Sequence, residues 1–214
     1  IIAVTYGTNK HVAEKFATYP STALSGPTVI VSQPCAIYGL EFVGRNTTSG
    51  YTDTGVDSGA AMVFIGEGGG YLGGFCHIKN CRFVDWWGND YGIELAAGAY
   101  NLIEDCWFEG YAAGVYVRST ASNNPQSNTI CNCRFETCVN GIEHRAGSTP
   151  HDFLYKGNSF IAISGVDIDT TNGLGDGMIA ENNLWHDATG YTDLANEAAV
   201  RAAGIASVGN NFNG

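Results

Sequence analysis

The chain has 214 residues, enough for one domain with a continuous core, and a formal net charge of −11. Only 10 residues are Lys or Arg, and they are scattered, which argues against a nucleic-acid partner. No apolar run is long enough to cross a bilayer, so no membrane insertion is expected. Charged residues make up 14% of the chain and 29 residues are Gly, which favours a turn-rich β protein over a helical or disordered one.

Residues 1–28 are predicted to form an N-terminal segment that contains a short helix. The helix spans Asn9 to Tyr19, with Asn9 as its N-cap and Pro20 directly after its end. A helix in this place would cover the open end of the sheets that follow. Because the chain begins Ile1-Ile-Ala-Val without Met or a recognisable signal peptide, we expect it to be a piece of a longer protein.

Short apolar runs begin at residue 29, and we assign residues 29–214 to one β domain. Polar or Gly-rich stretches at 44–59 and 66–74 separate the first runs and are interpreted as loops. Near the other end, Thr192 or Asp193 is a suitable cap for a small helical insert that ends at Ala203.

From residue 75 onward, one short motif recurs. Its six copies are Ile78–Phe83, Ile103–Phe108, Ile130–Phe135, Tyr155–Phe160, Ile179–Leu184 and, more loosely, Gly209–Phe212. The last apolar residues of successive copies lie 24 to 28 residues apart, a period typical of a solenoid. Each copy is predicted to be a strand, in which the last apolar residue and the residue two before it share one face.

The residues two before the last apolar position are predicted to form one interior column. They are Cys81, Cys106, Cys133, Asn158, Asn182 and Asn210. Stacked strands place equivalent residues about 4.8 Å apart, a spacing at which Asn side chains bond to their own copies and thiols pack as small apolar groups. The count of seven cysteines is odd, and we interpret them as free, mostly buried thiols of a protein that folds in a reducing compartment.

A second strand follows within each repeat. Its copies read Gly92-Ile-Glu-Leu95, Gly114-Val-Tyr-Val117, Gly141-Ile-Glu-His144 and Gly165-Val-Asp-Ile168. The Gly is expected where the backbone needs a positive φ or approaches a neighbour closely. The apolar pair is expected to point inward and the residue between to point outward, and a period of about 25 residues leaves room for a third strand.

This arrangement resembles the right-handed parallel β-helix superfamily, the pectate-lyase-like proteins that include polysaccharide lyases, polysaccharide hydrolases and bacteriophage tailspikes. The resemblance covers residues 29–212 and implies an all-β fold, a right-handed parallel β-helix solenoid with about 25 residues per coil. It does not imply a reaction, because one fold hosts many activities. The catalytic sets of the polygalacturonase group and of the pectate lyases are absent from this sequence, so their roles are not transferred.

One outward face of the predicted solenoid combines charges with a Trp. Stacking would bring Trp107 together with Arg82, Arg134, Glu109 and Glu136. The two carboxylates would lie about 5 Å apart, near the separation of a retaining glycosidase pair. Trp107 would stack on a sugar ring and the Arg side chains would hold sugar carboxylates. The alternative is an ion-pair ladder, Arg82–Glu109 and Arg134–Glu136, around a packed indole.

The second outward column offers four more candidates, Glu94, Tyr116, Glu143 and Asp167. Glu143 beside Asp167 is the predicted place for a raised carboxyl pKa, because like charges at one site resist joint ionisation. Trp86 and Trp87 form an aromatic loop that suits glycan stacking or a subunit interface. His144 falls at an inward position, where a hydrogen-bonded core residue is expected rather than a base.

Together these features favour a carbohydrate-recognising module of a virion fibre or cell-surface protein that binds surface polysaccharide. The expected sugar-binding residues are Arg82, Trp86, Trp87, Trp107, Tyr116 and Arg134. The alternative is a polysaccharide hydrolase or lyase, with Glu109 and Glu136 or Glu143 and Asp167 as catalytic carboxylates. A homotrimer is expected by analogy with fibre proteins, and no metal or other cofactor is expected. We place the protein on a virion or cell surface after folding in a reducing cytoplasm, with secretion as the alternative.

Overall fold

A computed structural model describes ten segments of the chain: residues 29–31, 34–43, 63–66, 74–84, 91–96, 98–118, 124–144, 151–169, 177–186 and 206–213. Within them the chain winds through three parallel sheets, and each strand pairs with the equivalent strand of the next coil. This confirms the parallel β-solenoid and adds the third strand that the repeat length left room for.

Sheet A contains β1 (Val29–Val31), β4 (Val63–Ile65), β7 (Tyr91–Leu95), β10 (Ala113–Val117), β13 (Asn140–His144) and β16 (Ile168–Asp169). Sheet B contains β2 (Ala36–Tyr38), β5 (His77–Lys79), β8 (Leu102–Glu104), β11 (Thr129–Cys131), β14 (Leu154–Lys156), β17 (Ile179–Glu181) and β19 (Ala206–Val208). Sheet C contains β3 (Glu41–Val43), β6 (Arg82–Val84), β9 (Trp107–Glu109), β12 (Arg134–Glu136), β15 (Ser159–Ile161), β18 (Leu184–His186) and β20 (Asn211–Asn213).

The ten described segments contain no helix, and so none that is long and apolar enough to cross a membrane. The predicted capping helix at residues 9–19 and the helical insert at 192–203 both lie outside them, as does the whole N-terminal segment 1–28.

A continuous file of stacked aromatic rings forms the core behind sheet C. It comprises Phe42, Phe83, Phe108, Phe135, Phe160 and Trp185. Successive ring centroids are 4.8 to 5.6 Å apart, close to the spacing between neighbouring strands. In-register parallel pairing therefore converts a sequence repeat directly into a ring stack.

The fifth copy of the motif is displaced by one residue from the sequence prediction. Trp185, not Leu184, pairs with Phe160. Asn183 is accordingly 1% exposed, whereas Asn182 is exposed and has φ +53°. The prediction of Asn182 as an interior residue was wrong, and Asn183 and Trp185 are the buried residues of this copy. A strand has a period of two, so a one-residue shift exchanges its inward and outward faces.

A column of left-handed residues marks the true register. It comprises Gly39, Asn80, Asp105, Asn132, Gly157, Asn182 and Gly209, all with φ between 52° and 67°. Gly, Asn and Asp are the residues that tolerate this conformation, so their recurrence directly before the interior column was a usable sequence signal.

The interior Asn residues stabilise backbone groups of the preceding coil. Asn158 Oδ1 accepts a hydrogen bond from the Cys133 amide at 3.0 Å, and its Nδ2 donates to the Ile130 carbonyl at 2.9 Å. Asn183 repeats both bonds one coil later. The predicted bonding between Asn side chains occurs among the described interior residues as one bond, from Asn183 Nδ2 to Asn210 Oδ1 at 3.0 Å.

Cys replaces Asn in this column because the thiol reaches the same acceptor. Cys106 Sγ lies 3.8 Å from the carbonyl oxygen of Ile78, which is 28 residues earlier in the chain. Asn158 Nδ2 contacts the carbonyl of Ile130, which is also 28 residues earlier. All seven cysteines are free, which confirms the prediction from their odd count. Five are buried, while Cys35 and Cys131 are only half-buried.

The Gly residues of sheet A permit close approach to the aromatic file. A Cβ on Gly114 would lie 2.5 Å from Phe135 Cδ1, and Gly92 and Gly141 meet the next Phe on either side in the same way.

The pairing of β13 with β16 in sheet A differs from the sequence prediction: Asp169, not Asp167, pairs with Glu143. Asp167 and Asp169 are two residues apart, so the sequence pattern fits either as the partner of Glu143. The pairing of Ile168 with Ile142 fixes the register and selects Asp169.

Candidate functional site

The outer face of sheet C is an ion-pair ladder around Trp107. Arg82 and Arg134 are the register partners of Trp107 on the two neighbouring coils. Their guanidinium carbons lie 4.6 and 5.2 Å from the Trp107 ring centroid. Both faces of the indole are thus occupied by cations, and the ring is half-buried. This geometry favours the packed-indole interpretation over a free stacking platform.

The two Glu residues of this face are each held by an Arg. Glu109 and Glu136 are register partners, as the repeat predicted. Arg82 lies 3.0 Å from Glu109 Oε2, and Arg134 lies 2.9 Å from Glu136 Oε2. Arg82 also contacts Glu41 at 2.8 Å, which extends the ladder. Such an arrangement neutralises both carboxylates locally.

The outer face of sheet A buries its polar candidates. Glu94 is 3% exposed and forms a 2.8 Å ion pair with Arg118. Tyr116 is 7% exposed and stacks on Tyr91 with ring centroids 4.1 Å apart, which leaves little of its ring for a ligand. The aromatic loop candidates Trp86 and Trp87 lie outside the described residues.

Two carboxyls on sheet A have raised pKa values. Burial raises the pKa of Asp167 to about 7. Burial also raises the pKa of Glu143, and the charge of Asp169 adds to this, while a 2.8 Å hydrogen bond from Asn140 opposes it. The predicted raised pKa is therefore present at Glu143, but its main cause is burial and the charged neighbour is Asp169. The Glu143–Asp167 stacked pair does not form.

His144 is a core residue, as its inward position predicted. It is fully buried, and its Nε2 lies 2.5 Å from the Tyr155 hydroxyl. Burial lowers the pKa of His144 to about 4. The side chain therefore packs as a neutral imidazole whose hydrogen bond links β13 to β14.

This burial predicts a stability change on acidification. Unfolded His144 titrates near 6.5 and folded His144 near 4, so the unfolded chain takes up a proton that the folded one refuses as the pH falls. Between pH 7 and pH 4.5, His144 therefore lowers the free energy of unfolding by about 2 to 3 kcal/mol. In urea titrations at both pH values, we expect His144→Gln to lose less stability on acidification than the wild type.

Asp167→Asn serves as the control of opposite sign. The raised folded-state pKa of Asp167 contributes stability at low pH that is lost as the pH rises from about 3.8 to about 7. Asp167→Asn should therefore lose more unfolding free energy on acidification than the wild type. A His144→Gln variant with the wild-type pH dependence would show that His144 is not a buried neutral imidazole.

An exposed aromatic pair that was not predicted from the sequence, Phe75 and Tyr100, lies two residues before strands β5 and β8 of sheet B; we call it the aromatic corner. They are 67% and 59% exposed, and their rings stack with centroids 5.2 Å apart. Their φ angles are +60° and +61°, a conformation that is rare for bulky side chains. The equivalent residues of the next coils are Ser127, Asp152 and Gly177. Sequence reasoning took Phe75 only as the start of the regular coils.

A hydrogen-bonded polar cluster lies on the outer face of sheet B; it consists of Tyr38, His77, Lys79 and Glu104, and His77 is two residues after Phe75 in the chain. The Tyr38 hydroxyl is 2.7 Å from His77 Nδ1, and His77 Nε2 is 2.7 Å from Glu104 Oε1. Lys79 Nζ is 2.8 Å from the same Glu104 oxygen, and its hydrogen bond lowers the pKa of Glu104. Tyr38 remains 54% exposed.

The polar cluster was missed because its members are far apart in sequence. Tyr38 and His77 lie in different coils on β2 and β5, and Glu104 is on β8. Register places Tyr38, Lys79 and Glu104 in one column, with His77 in the neighbouring one. The usable signal was the outward column of the first strand of each motif, which contains Lys79 and Glu104.

Comparison with known proteins identifies the fold family. No curated protein and no solved structure matches the chain. A family model described as the right-handed β-helix region matches residues 45–185, about two thirds of the chain. The stacked parallel sheets and the interior Asn, Cys and Phe columns agree with that match. The chain therefore belongs to the right-handed β-helix family.

Proposed function

We propose that this β-helix is a carbohydrate-recognising module that binds a surface polysaccharide at the aromatic corner and polar cluster of sheet B. The observation that carries the proposal is the pair Phe75 and Tyr100, exposed and stacked at left-handed backbone positions. Sugar rings pack their C–H faces on aromatic rings, and adjacent polar side chains provide hydrogen bonds to the hydroxyls.

Fold stability does not explain aromatic residues at these positions. A left-handed backbone favours Gly, and a bulky residue there costs of order 1 to 3 kcal/mol. The same corner carries Gly177 and Ser127 in later coils, so the solenoid forms without an aromatic side chain in this column. Large exposed rings in a strained conformation are typical of residues retained for binding.

The setting of the module is part of the proposal. Seven free thiols support folding in a reducing cytoplasm, and this suits a virion fibre or cell-surface protein that is assembled there. A homotrimer is proposed by analogy with fibres, and secretion is the alternative route. Trp86 and Trp87, which lie outside the described residues, are proposed as a subunit interface or a second glycan contact.

Glycan binding is tested by replacing both corner aromatics with Gly. We expect Phe75→Gly/Tyr100→Gly to lose at least tenfold in affinity for the polysaccharide that the wild type binds, because both stacking surfaces are removed. The screen uses immobilised dextran, laminarin, mannan, galactan and polygalacturonate. Thermal stability should be unchanged or higher, because Gly relieves the positive φ.

Ser127→Gly is the matched control, since it changes the same column one coil beyond Tyr100 without removing an aromatic ring. It should retain wild-type binding. Wild-type affinity in the double Gly variant would exclude the aromatic corner as the binding site, and no binding of any of the five polysaccharides by the wild type would contradict the proposal. Light scattering of both variants tests whether the corner instead holds sister chains together.

A polysaccharide-degrading enzyme is the second candidate function. The observation that favours it is burial that raises the pKa of Asp167 to about 7, a value suited to a general acid. The same incubations are followed for new reducing ends and unsaturated uronates. Turnover lost in Asp167→Asn would support this function, and turnover lost in Glu109→Gln and Glu136→Gln would assign it to sheet C.

A further inference from the structure

We propose that Tyr38 presents a fixed hydrogen-bond acceptor to its ligand, through which the protein selects uncharged glycans by a free sugar hydroxyl. This inference rests on the proposed function and assigns the ligand class to the same surface. It is carried by the contacts within the polar cluster, which link Tyr38 through His77 to Glu104.

The carboxylate of Glu104 determines the direction of its hydrogen bond with His77. Two groups contact its Oε1, Lys79 Nζ at 2.8 Å and His77 Nε2 at 2.7 Å. The lysine hydrogen bond lowers the pKa of Glu104, so this group is ionised. An ionised carboxylate only accepts hydrogen bonds, and His77 Nε2 must therefore be the donor.

The imidazole of His77 in turn determines the direction of its hydrogen bond with Tyr38. In the proposed state the His77 imidazole is neutral and carries one N–H, which is used at Nε2. Nδ1 is then an acceptor, and the Tyr38 hydroxyl, 2.7 Å away from it, donates. The two rings meet edge to face, with centroids 5.0 Å apart at 82°, which holds this geometry.

This arrangement determines the surface that Tyr38 offers to a ligand. Its proton points at His77, so the exposed side of the oxygen presents lone pairs, and the side chain is 54% exposed. Successive hydrogen bonds polarise one another, which makes this oxygen a stronger acceptor than that of an isolated phenol. A sugar hydroxyl satisfies it, whereas an O-methylated or fully ionised group has no proton to donate.

The charges around the cluster favour an uncharged ligand. Lys79 is shared between Glu104 and Asp105, at 2.8 and 3.4 Å, so its charge is already balanced. The next charged residues of the column are Lys156 and Glu181, which pair with each other at 3.3 Å. The chain as a whole carries −11, and a polyanionic glycan is repelled.

The proton positions are tested without any ligand. In long-range ¹H–¹⁵N spectra near neutral pH, His77 should show a protonated Nε2 and an unprotonated Nδ1. The opposite tautomer, or a proton on both ring nitrogens, would overturn the acceptor assignment. Tyr38→Phe should leave the Nε2 proton in place, because Glu104 still accepts it.

Binding is tested with the neutral polysaccharide that the wild type binds best and with its O-methylated form. We expect the wild type to prefer the unmethylated glycan about tenfold, and Tyr38→Phe to lose both that preference and about tenfold in affinity. His77→Phe leaves the hydroxyl free to rotate and should reduce the preference without abolishing binding. Glu181→Gln, in the same column three coils beyond Glu104, is the control and should behave as the wild type.

The outcomes separate this inference from the proposed function. If the double Gly variant of the aromatic corner loses binding but Tyr38→Phe keeps the wild-type preference, the glycan site stands and the role of Tyr38 is wrong. If polygalacturonate or dextran sulfate binds more tightly than every neutral glycan, the uncharged ligand class is wrong. If the wild type binds none of these glycans, the proposed function fails together with this inference.

Discussion

Asn183→Ala is expected to lower the free energy of unfolding by about 3 kcal/mol, because it leaves buried backbone groups without partners. Asn183 Oδ1 accepts from the Asn158 amide at 2.9 Å, and Nδ2 donates to the Tyr155 carbonyl at 2.9 Å. Neither group has access to water once the side chain is removed, since Asn183 is 1% exposed. Urea unfolding at pH 7 measures the loss.

The neighbouring Asn182 provides a control within one peptide bond. Asn182 is exposed with φ +53°, a conformation that Gly adopts freely, so Asn182→Gly should change stability by less than about 0.5 kcal/mol. The register drawn from sequence spacing alone predicts the reverse, with Asn182 as the sensitive residue. Equal losses at the two positions would contradict the placement of Asn183 in the interior column.

Gly114→Ala is expected to destabilise the protein by about 3 kcal/mol through overpacking. The added Cβ would lie 2.5 Å from Phe135 Cδ1 and 3.0 Å from the Gly141 carbonyl oxygen. Phe135 has no room to move, because Phe108 and Phe160 stack on its two faces at 5.0 and 5.1 Å. Thermal unfolding followed by circular dichroism measures the change.

The control for this substitution is Gly39→Asn. A Cβ at Gly39 meets nothing within 4 Å, and Asn tolerates its φ of +67°. Asn80 occupies the equivalent position of the next coil, so we expect a change of less than about 1 kcal/mol. Adding Phe135→Leu to Gly114→Ala should recover part of the loss. Wild-type stability in Gly114→Ala would show that the aromatic file has room for the extra methyl group.

Local patterns predicted the interior of this protein well where they were unambiguous. Cys81, Cys106, Cys133 and Asn158 are all buried in one file, as the recurring motif implied. The motif failed at Asn182 and Asn183, where two identical residues are adjacent and either reading preserves an apolar residue two positions later. There the choice depends on which of Leu184 and Trp185 continues the aromatic file, and Trp185 fills the space beside Phe160.

The candidate site was less predictable than the fold. Trp107 was singled out because Trp is a common sugar-binding residue, yet Arg82 and Arg134 occupy its faces. Phe75 and Tyr100 carried no obvious signal, because their exposure follows from a left-handed backbone that the sequence does not display. Exposure of a side chain depends on what neighbouring coils place beside it, and those residues lie about 25 positions away.

Residue spacing and composition are enough to predict that the chain stacks in repeated coils, that Phe, Cys and Asn line the interior, and that the cysteines form no disulfides. The first two properties follow from the strand period of two and from the repeat length, which are both visible in the spacing of residues along the chain. The side chains that meet between coils are evident only from the folded chain: Asp169 lies opposite Glu143, and Tyr38 is joined through His77 to Glu104. Those contacts depend on side-chain rotamers and on the register of neighbouring strands. A shift of one residue in the register gives each side chain different neighbours.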